Sequence, residues 1–168
     1  MTVLSAQTLR RYSIEGRAII SPLEKASQDS RGNTRGLGPC GVDVTLDVKS
    51  YPHETCDHAG NPAARLAPGM FLLISACERF QIPDDVVGIV HDKSSMARRG
   101  VAVQNTVLEP GWRGYVTLEI TNHGSEILYL RHGDAIAQVI FHRLDEPTEL
   151  PYVGKYQDQE RGPQRARS

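Results

Sequence analysis

Short runs of alternating apolar and polar residues dominate the second half of the chain. A two-residue period places successive side chains on opposite faces of a β-strand, so each run predicts a strand with one buried face. Pairs such as Pro-Gly, Pro-Asp and Gly-Asp separate the runs and indicate tight turns. The predicted strands cover residues 70–76, 86–90, 101–103, 115–121, 127–130 and 135–141.

The first part of the chain predicts a helix, one more strand and two polar loops. A helix over residues 5–14 would have Ser5 as its N-cap, Leu9 and Tyr12 on one face, and Gly16 as its stop. Alternation over residues 40–47 predicts a half-buried strand. Residues 26–39 and 51–68 are rich in polar and turn-forming residues, which predicts loops.

Closely spaced strands with so little helix predict a mainly β protein with an antiparallel sandwich or barrel-like fold. A chain of 168 residues suits one compact domain. Residues 154–168 carry no apolar periodicity, and taken alone they predict a mobile, mildly basic tail.

Composition narrows the classes of partner. The chain has 19 Lys+Arg, 20 Asp+Glu and a formal net charge of −1. This balance argues against general nucleic-acid binding and against membrane-surface binding, both of which rely on excess positive charge. The first residues lack the apolar core of a signal peptide, and Cys40, Cys56 and Cys77 are odd in number and widely spaced. We therefore expect a cytoplasmic protein with reduced thiols.

The first candidate for chemistry is the run 91–100, HDKSSMARRG. It places two hydroxyls and three cations within seven residues, and such groups bind phosphate oxygens well. The ordinary alternative is a helical turn that a serine caps and whose arginines are solvated.

The second candidate is Glu119, in the predicted strand 115–121. Val116, Leu118 and Ile120 share one face, so Glu119 shares the other with Thr117. Glutamate is depleted in strands, and one beside hydroxyls is a candidate for proton transfer, although an exposed strand face is the more common explanation for such a residue. Glu109, in the turn before this strand, could position a water or a metal-bound phosphate, or could be a rim carboxylate.

A zinc site at His53, Cys56 and His58 is disfavoured. Zinc sites usually need four ligands at recognisable spacing, and no CxxC pair accompanies these residues. The H-x-E and P-C-x-x-C elements of zinc-dependent nucleobase deaminases are also absent from the sequence.

Short motifs follow one another along nearly the whole chain. They are LSAQTLR at 4–10, GPCGVDVTLD at 38–47, KSSMAR at 93–98, EPGWRG at 109–114, TLEI at 117–120, and YQ, Q and RGP at 156–157, 159 and 161–163. In order and spacing this set resembles the dCTP deaminases, which belong to the trimeric dUTPase-like superfamily.

The resemblance implies a distorted, jelly-roll-like β-barrel over residues 1–153, with the tail 154–168 closing over the active site. It implies a cytoplasmic homotrimer with active sites at subunit junctions. It also implies zinc-independent deamination of dCTP to dUTP and ammonia, with Mg²⁺ carried by the triphosphate and no direct protein ligand.

The resemblance also implies roles for individual residues. Glu119 would pass protons from the attacking water to the departing ammonia, because one glutamate can alternate between base and acid. Ser94 and Arg98 would hold phosphates and orient the water. The remaining nucleotide- or phosphate-binding residues would be Lys93, Ser95, Lys155, Gln159, Tyr152 and Tyr156.

Three departures from the family pattern concern substrate choice. The segment 98–110 is about two residues short, and Gln104, Asn105 and Thr106 occupy the hairpin that contacts base and sugar. Glu109 stands where the family typically has aspartate, and its extra methylene would displace a hydrolytic water. The tail carries an inserted Glu160, and Gln164 replaces a threonine. A dUTP diphosphatase, a bifunctional enzyme and a non-catalytic or modified-nucleotide-binding protein therefore stay open as alternatives.

Overall fold

A computed structural model describes residues 2–28, 32–52 and 55–167 of the chain. Its first half contains a helix and short strands: β1 Thr2–Val3, α1 Ala6–Ile14, β2 Ile20–Ser21, β3 Ser27–Gln28, β4 Thr34–Arg35, β5 Leu37–Gly38, β6 Gly41–Thr45, a 3-10 helix Val48–Ser50 and β7 Ala63–Leu66. The second half contains the longer strands: β8 Phe71–Gln81, β9 Val86–Asp92, α2 Ser94–Ala97, β10 Val101–Val103, β11 Val107–Leu108, β12 Arg113–Asn122, β13 Leu128–Arg131 and β14 Ala135–Arg143.

Two antiparallel sheets enclose one apolar core. The first has the strand order β11-β9-β14-β6-β5, with β1 also paired to β14, and the second has the order β10-β12-β8-β2. Inward-facing side chains from both sheets, among them Val42, Ile74, Leu118 and Phe141, belong to the same buried cluster. The prediction of a mainly β, barrel-like fold is thereby confirmed.

The predicted helix is confirmed with its cap. The Ser5 hydroxyl accepts from the Thr8 amide at 3.4 Å, Leu9 and Tyr12 are buried, and Gly16 has a φ of 72°. In the described residues, none of the helices has the length and apolar character needed to cross a lipid bilayer.

The prediction of a loop over residues 51–68 is wrong near its C-terminal end. Residues Ala63–Leu66 form β7, which pairs with β13. Alanine has a low strand propensity, and a run of four residues is too short to show a period, so the burial of Ala63, Ala64 and Leu66 was not visible in the sequence. The loop predicted over 26–39 likewise contains the two-residue strands β3, β4 and β5.

The strand predicted over 40–47 is buried on both faces rather than on one. Asp43 is 6% exposed because its carboxylate pairs with Lys93 at 2.8 Å. Thr45 is buried because its amide and hydroxyl both donate to the Glu78 carboxylate. Buried polar groups persist where they find such partners, and the sequence pattern does not show the partners.

Candidate active site

Glu119 lies in the middle of β12, where the pairing with β8 determines which way it faces. Glu119 is opposite Leu73, and Thr121 is opposite Phe71. Leu118 and Ile120 on either side are 1% and 0% exposed in the core, whereas Glu119 is only partly buried. The alternation that the sequence predicted is confirmed from Thr117 to Thr121, whereas the register with β8 shifts between Tyr115 and Thr117.

A cavity of about 520 Å³ opens on the Glu119 face, and we call it the Glu119 cavity. Its residues come from β8, β12, the segment before β12 and the tail after β14. They are Phe71, Leu73, Thr106, Val107, Leu108, Glu109, Trp112, Val116, Thr117, Glu119, Tyr152, Tyr156, Gln159, Gln164, Arg165 and Ala166. The volume is of the size that small-molecule sites have, roughly 300–1,000 Å³.

The apolar side chains around Glu119 determine its electrostatics. Phe71, Leu73 and Val116 line the same cavity. Burial removes water from the carboxylate and raises the pKa of Glu119 above its ordinary value. A carboxyl group with a raised pKa takes up and releases protons more readily near neutral pH, as a general acid–base residue must.

The tail is not mobile in the structure but is hydrogen-bonded along the start of β12. Trp112 Nε1 donates to the Tyr156 carbonyl at 2.8 Å, and the Tyr115 amide donates to the Gln159 carbonyl at 2.9 Å. The Asp158 amide donates to the Arg113 carbonyl at 3.0 Å. These contacts use main-chain atoms of the tail, which explains why its composition gave no sign of order.

Thr117 joins the tail to the strand that carries Glu119. Its hydroxyl oxygen accepts from the side-chain Nε2 of Gln159 at 2.6 Å and from the main-chain N–H of Gln164 at 3.0 Å. Gln159 is only 6% exposed, so its side-chain amide is held against the cavity.

Gly114 is the residue that lets the tail approach. It has a φ of 145°, and a Cβ atom there would lie 2.7 Å from the Gln159 nitrogen and 2.9 Å from its oxygen. Any larger residue would therefore push the tail off the strand.

The Ser/Arg element lies on α2, outside the Glu119 cavity. The Ser94 and Arg98 side chains are exposed, and the Ser95 hydroxyl is buried with no hydrogen-bond partner in the described residues. Lys93 is buried, pairs with Asp43 at 2.8 Å and donates to the Thr34 hydroxyl at 3.2 Å. The Lys93 charge is thus already balanced within the chain.

The structure brings together part of the predicted site. Thr106, Glu109, Glu119, Tyr152, Tyr156 and Gln159 line the Glu119 cavity. Within the described part of a single chain, the cavity lining does not include Lys93, Ser94, Ser95, Arg98, Gln104, Asn105 or Lys155. The main-chain N–H of Gln104 instead donates to the main-chain carbonyl of Glu119 at 2.9 Å. Lys155 Nζ lies 5.5 Å from the centre of the Tyr156 ring.

Several cavity residues were absent from the sequence-based prediction. Thr117 carried a signal, since it shares a strand face with Glu119, but its hydrogen bonds to the tail could not be foreseen. Phe71 and Leu73 come from β8, and only the register of the β8–β12 pairing shows that they flank Glu119.

Of the disfavoured zinc candidates, Cys56 and His58 do not line this cavity. Cys56 is an exposed free thiol, the His58 ring packs edge-on to Tyr129 at 4.8 Å, and His53 lies outside the described residues.

Solved structures of dUTPase-like proteins share this fold. The 2′-deoxycytidine 5′-triphosphate deaminase from Agrobacterium tumefaciens has a TM-score of 0.64 at 16% identity, over 84% of this chain and 49% of that chain. A mutant dUTPase from phage phi11 of S. aureus, described with a structural Mg(II) ion, has a TM-score of 0.50 at 13% identity, over 80% and 95% of the two chains. The chain has a dUTPase-like fold.

The sequence comparisons identify the family. The model of the dCTP deaminase-like family matches residues 3–144, so the chain belongs to that family. A dCTP deaminase from Thermococcus gammatolerans is 33% identical over 89% of this chain and 90% of its own length. A protein from Methanopyrus kandleri named "dCTP deaminase, dUMP-forming" is 32% identical over 96% and 93% of the two chains.

The Gly114 contact predicts that Gly114→Ala releases the tail. The added methyl group would clash with Gln159, and an alanine at positive φ costs a further ~1–2 kcal/mol, so hydrogen-exchange protection of residues 152–164 should fall at least about tenfold. Gly60→Ala is the matched control, because Gly60 also has positive φ (80°) but open space around its Cβ position. Equal tail protection in both variants would contradict this account of the tail.

Proposed function

We propose that this protein is a hydrolase of pyrimidine deoxynucleotide metabolism that deaminates dCTP to dUTP and ammonia without zinc. The observation that carries the proposal is Glu119, a carboxylate with a raised pKa in a largely apolar cavity large enough for a small molecule. Membership of the dCTP deaminase-like family supports the same reaction. The three free cysteines and the nucleotide substrate favour a cytoplasmic location.

Glu119 would act first as a base and then as an acid. It takes a proton from water as the water oxygen bonds to C4 of cytosine. The protonated carboxyl group then gives that proton to the amino nitrogen, the C4–N bond breaks and ammonia leaves. The second water proton moves from the C4 hydroxyl to ring N3 as C4 becomes a carbonyl. A group that serves both steps works best when its pKa is raised toward neutrality, as burial does here.

The tail would hold the nucleotide and exclude water. Tyr152, Tyr156 and Gln159 already line the cavity, and Lys155 is exposed beside them. Thr106 and Glu109 also line the cavity, next in sequence to Gln104 and Asn105, and base and sugar would lie against this segment. Water exclusion by such a segment strengthens the electrostatic interactions inside a site.

The triphosphate, with its Mg²⁺, would bind the Ser/Arg element of a second subunit. Ser94 and Arg98 are exposed on α2 and are not part of the Glu119 cavity of their own chain. The Ser95 hydroxyl also lacks a partner within the described residues, and Lys93 would stabilise the element through Asp43. A homotrimer with active sites at subunit junctions places the two halves together.

Hydrolysis of dUTP to dUMP is the second candidate. The Methanopyrus kandleri relative named "dUMP-forming" favours it. Glu109 disfavours it, because its side chain is one methylene longer than the aspartate expected for positioning a hydrolytic water. Chromatography of the products from Mg²⁺ with dCTP or dUTP separates the cases, since accumulation of dUTP supports deamination alone and dUMP supports the bifunctional enzyme.

Glu119→Gln should abolish deamination while leaving binding intact. Glutamine keeps the shape of the side chain but cannot transfer the proton, so kcat should fall at least about 1,000-fold with KM changed only a few-fold. The control is Glu126→Gln, the same change at an exposed position outside the cavity. Retained turnover in the Glu119 variant would disprove the assigned role.

The acid limb of the pH profile of kcat should lie at a higher pH than an ordinary glutamate would give. The active form at the first step is the carboxylate, which is lost as the pH falls through the raised pKa of Glu119. The midpoint of the acid limb should therefore lie above about 4.3, the ordinary pKa of glutamate. As the pH falls below that midpoint, kcat should decrease. Glu119→Asp should retain a limb, and a limb at or below the ordinary value would contradict the role of burial.

Mixed oligomers should recover activity from two inactive variants. Glu119→Gln lacks the acid–base residue and Arg98→Ala lacks the phosphate-binding residue, so each alone should be inactive. If every site combines two subunits, co-expression at equal levels should restore activity in about one quarter of the sites. Failure to recover activity in oligomers that demonstrably contain both variants would place Glu119 and Arg98 in the same subunit's site.

A further inference from the structure

A second cavity, of about 640 Å³, shares none of its lining residues with the Glu119 cavity. It is lined in part by Cys77 and His132, and buried Asp47 lies behind them. The three ligand atoms, Asp47 Oδ, Cys77 Sγ and a His132 ring nitrogen, all lie within 4.8 Å of one another. The proposed deamination uses none of these residues.

The distances match a tetrahedral cation site. His132 Nδ1 is 3.3 Å from Asp47 Oδ1 and 3.8 Å from Cys77 Sγ. Zinc bonds of about 2.0–2.2 Å to nitrogen and oxygen and about 2.3 Å to sulfur give tetrahedral edges of roughly 3.4 Å between nitrogen and oxygen and 3.6 Å between sulfur and nitrogen. The nitrogen–oxygen and sulfur–nitrogen distances are therefore already close to those that a bound ion requires.

Asp47 Oδ1 gives independent evidence for a missing partner. Asp47 is 1% exposed, and within the described residues no hydrogen bond reaches this oxygen, although His132 is close. The other oxygen, Oδ2, accepts from Arg161 Nε at 2.6 Å. A buried carboxylate oxygen without a donor is costly, and a cation would satisfy it.

The main chain holds the three ligands in place. The Asp47 amide donates to the Ser75 carbonyl at 2.8 Å, which joins the end of β6 to β8 two residues from Cys77. The Gly133 amide donates to the Leu46 carbonyl at 2.9 Å, which brings the turn carrying His132 to the same point. Ligands on separate elements fixed by such bonds need little rearrangement to bind a metal.

We propose that Asp47, Cys77 and His132 bind a divalent cation of the zinc class, with a fourth position open to water in the cavity. Sulfur, imidazole and carboxylate together suit Zn²⁺ or Co²⁺ better than Mg²⁺, which prefers oxygen ligands alone. On binding, the Cys77 thiol gives its proton to solvent, so thiolate and carboxylate balance the two charges of the ion. The cation would stabilise the junction of β6, β8 and the β13–β14 turn.

Titration of chelator-treated protein with Co²⁺ tests the ligands directly. One Co²⁺ per chain should bind, with a thiolate-to-cobalt charge-transfer band. Cys77→Ser should remove the band and weaken binding at least about 100-fold, whereas Cys56→Ser, at an exposed thiol, should retain both. A band that survives in Cys77→Ser, or that Cys56→Ser removes, would overturn the proposal.

Thermal unfolding with Zn²⁺ supplies a second readout that does not depend on catalysis. At a hundredfold excess over Kd, Tm should rise by roughly 5–10 °C. His132→Ala should lose this rise while its Tm in chelator stays near that of the unmodified protein, because His132 lies in a turn and is partly exposed. His123→Ala is the control at another exposed turn. An equal rise in His132→Ala, or no rise in the unmodified protein, would show that the proposed site does not bind the cation.

Discussion

The pairing of β8 with β12 is the constraint on which the candidate site depends. Strand side chains alternate between faces, so a shift of one residue in the register would turn every side chain of β12 to the opposite face. Leu118 would then enter the cavity, and Glu119 would be forced into an apolar core that has no partner for a carboxylate. The deep burial of Leu118 and Ile120 opposes such a shift, since each contributes roughly 1.5–3 kcal/mol through its burial. The same residues that stabilise the sheet thus orient Glu119, the proposed proton-transfer group.

The first residues of β12 also form the seat of the tail, so one strand organises both the floor of the cavity and its cover. Gly114 permits the close approach, and the Thr117 hydroxyl receives two donors from the tail. Farther along, Arg161 reaches the Asp47 carboxylate at the second cavity. The tail therefore contacts the Glu119 cavity and the proposed cation site at once, and a change at either could alter the free energy of docking.

The sequence predicted the elements that show a periodic pattern of apolar and polar residues. It did not predict the long-range contacts, which show no such pattern. The helix capped by Ser5, the long strands and the face occupied by Glu119 follow from local pattern, and the structure bears them out. Strand β8 extends to Gln81, beyond its predicted end at residue 76. The prediction stopped there because Cys77, Glu78 and Arg79 interrupt the apolar run, although Glu78 is buried. Long-range partners such as Asp43 with Lys93, the hydrogen bonds of the tail, and the convergence of Asp47, Cys77 and His132 leave no local trace. The separation of α2 from the Glu119 cavity was equally invisible, since motif order says nothing about which groups share a cavity.

The way the tail is held has a consequence for how proteins of this family can diverge. Its anchoring atoms include the main-chain carbonyls of Tyr156 and Gln159 and the main-chain amides of Asp158 and Gln164, beside the side chains of Gln157, Asp158, Gln159 and Arg161. Backbone atoms are the same in every residue except proline, so substitutions at tail positions whose side chains make no such bond leave these anchors in place. The family model accordingly ends at residue 144, before a segment that contributes a third or more of the cavity wall. Tail positions that line the cavity without anchoring the chain, such as Arg165 and Ala166, can therefore change the cavity wall while these anchors persist.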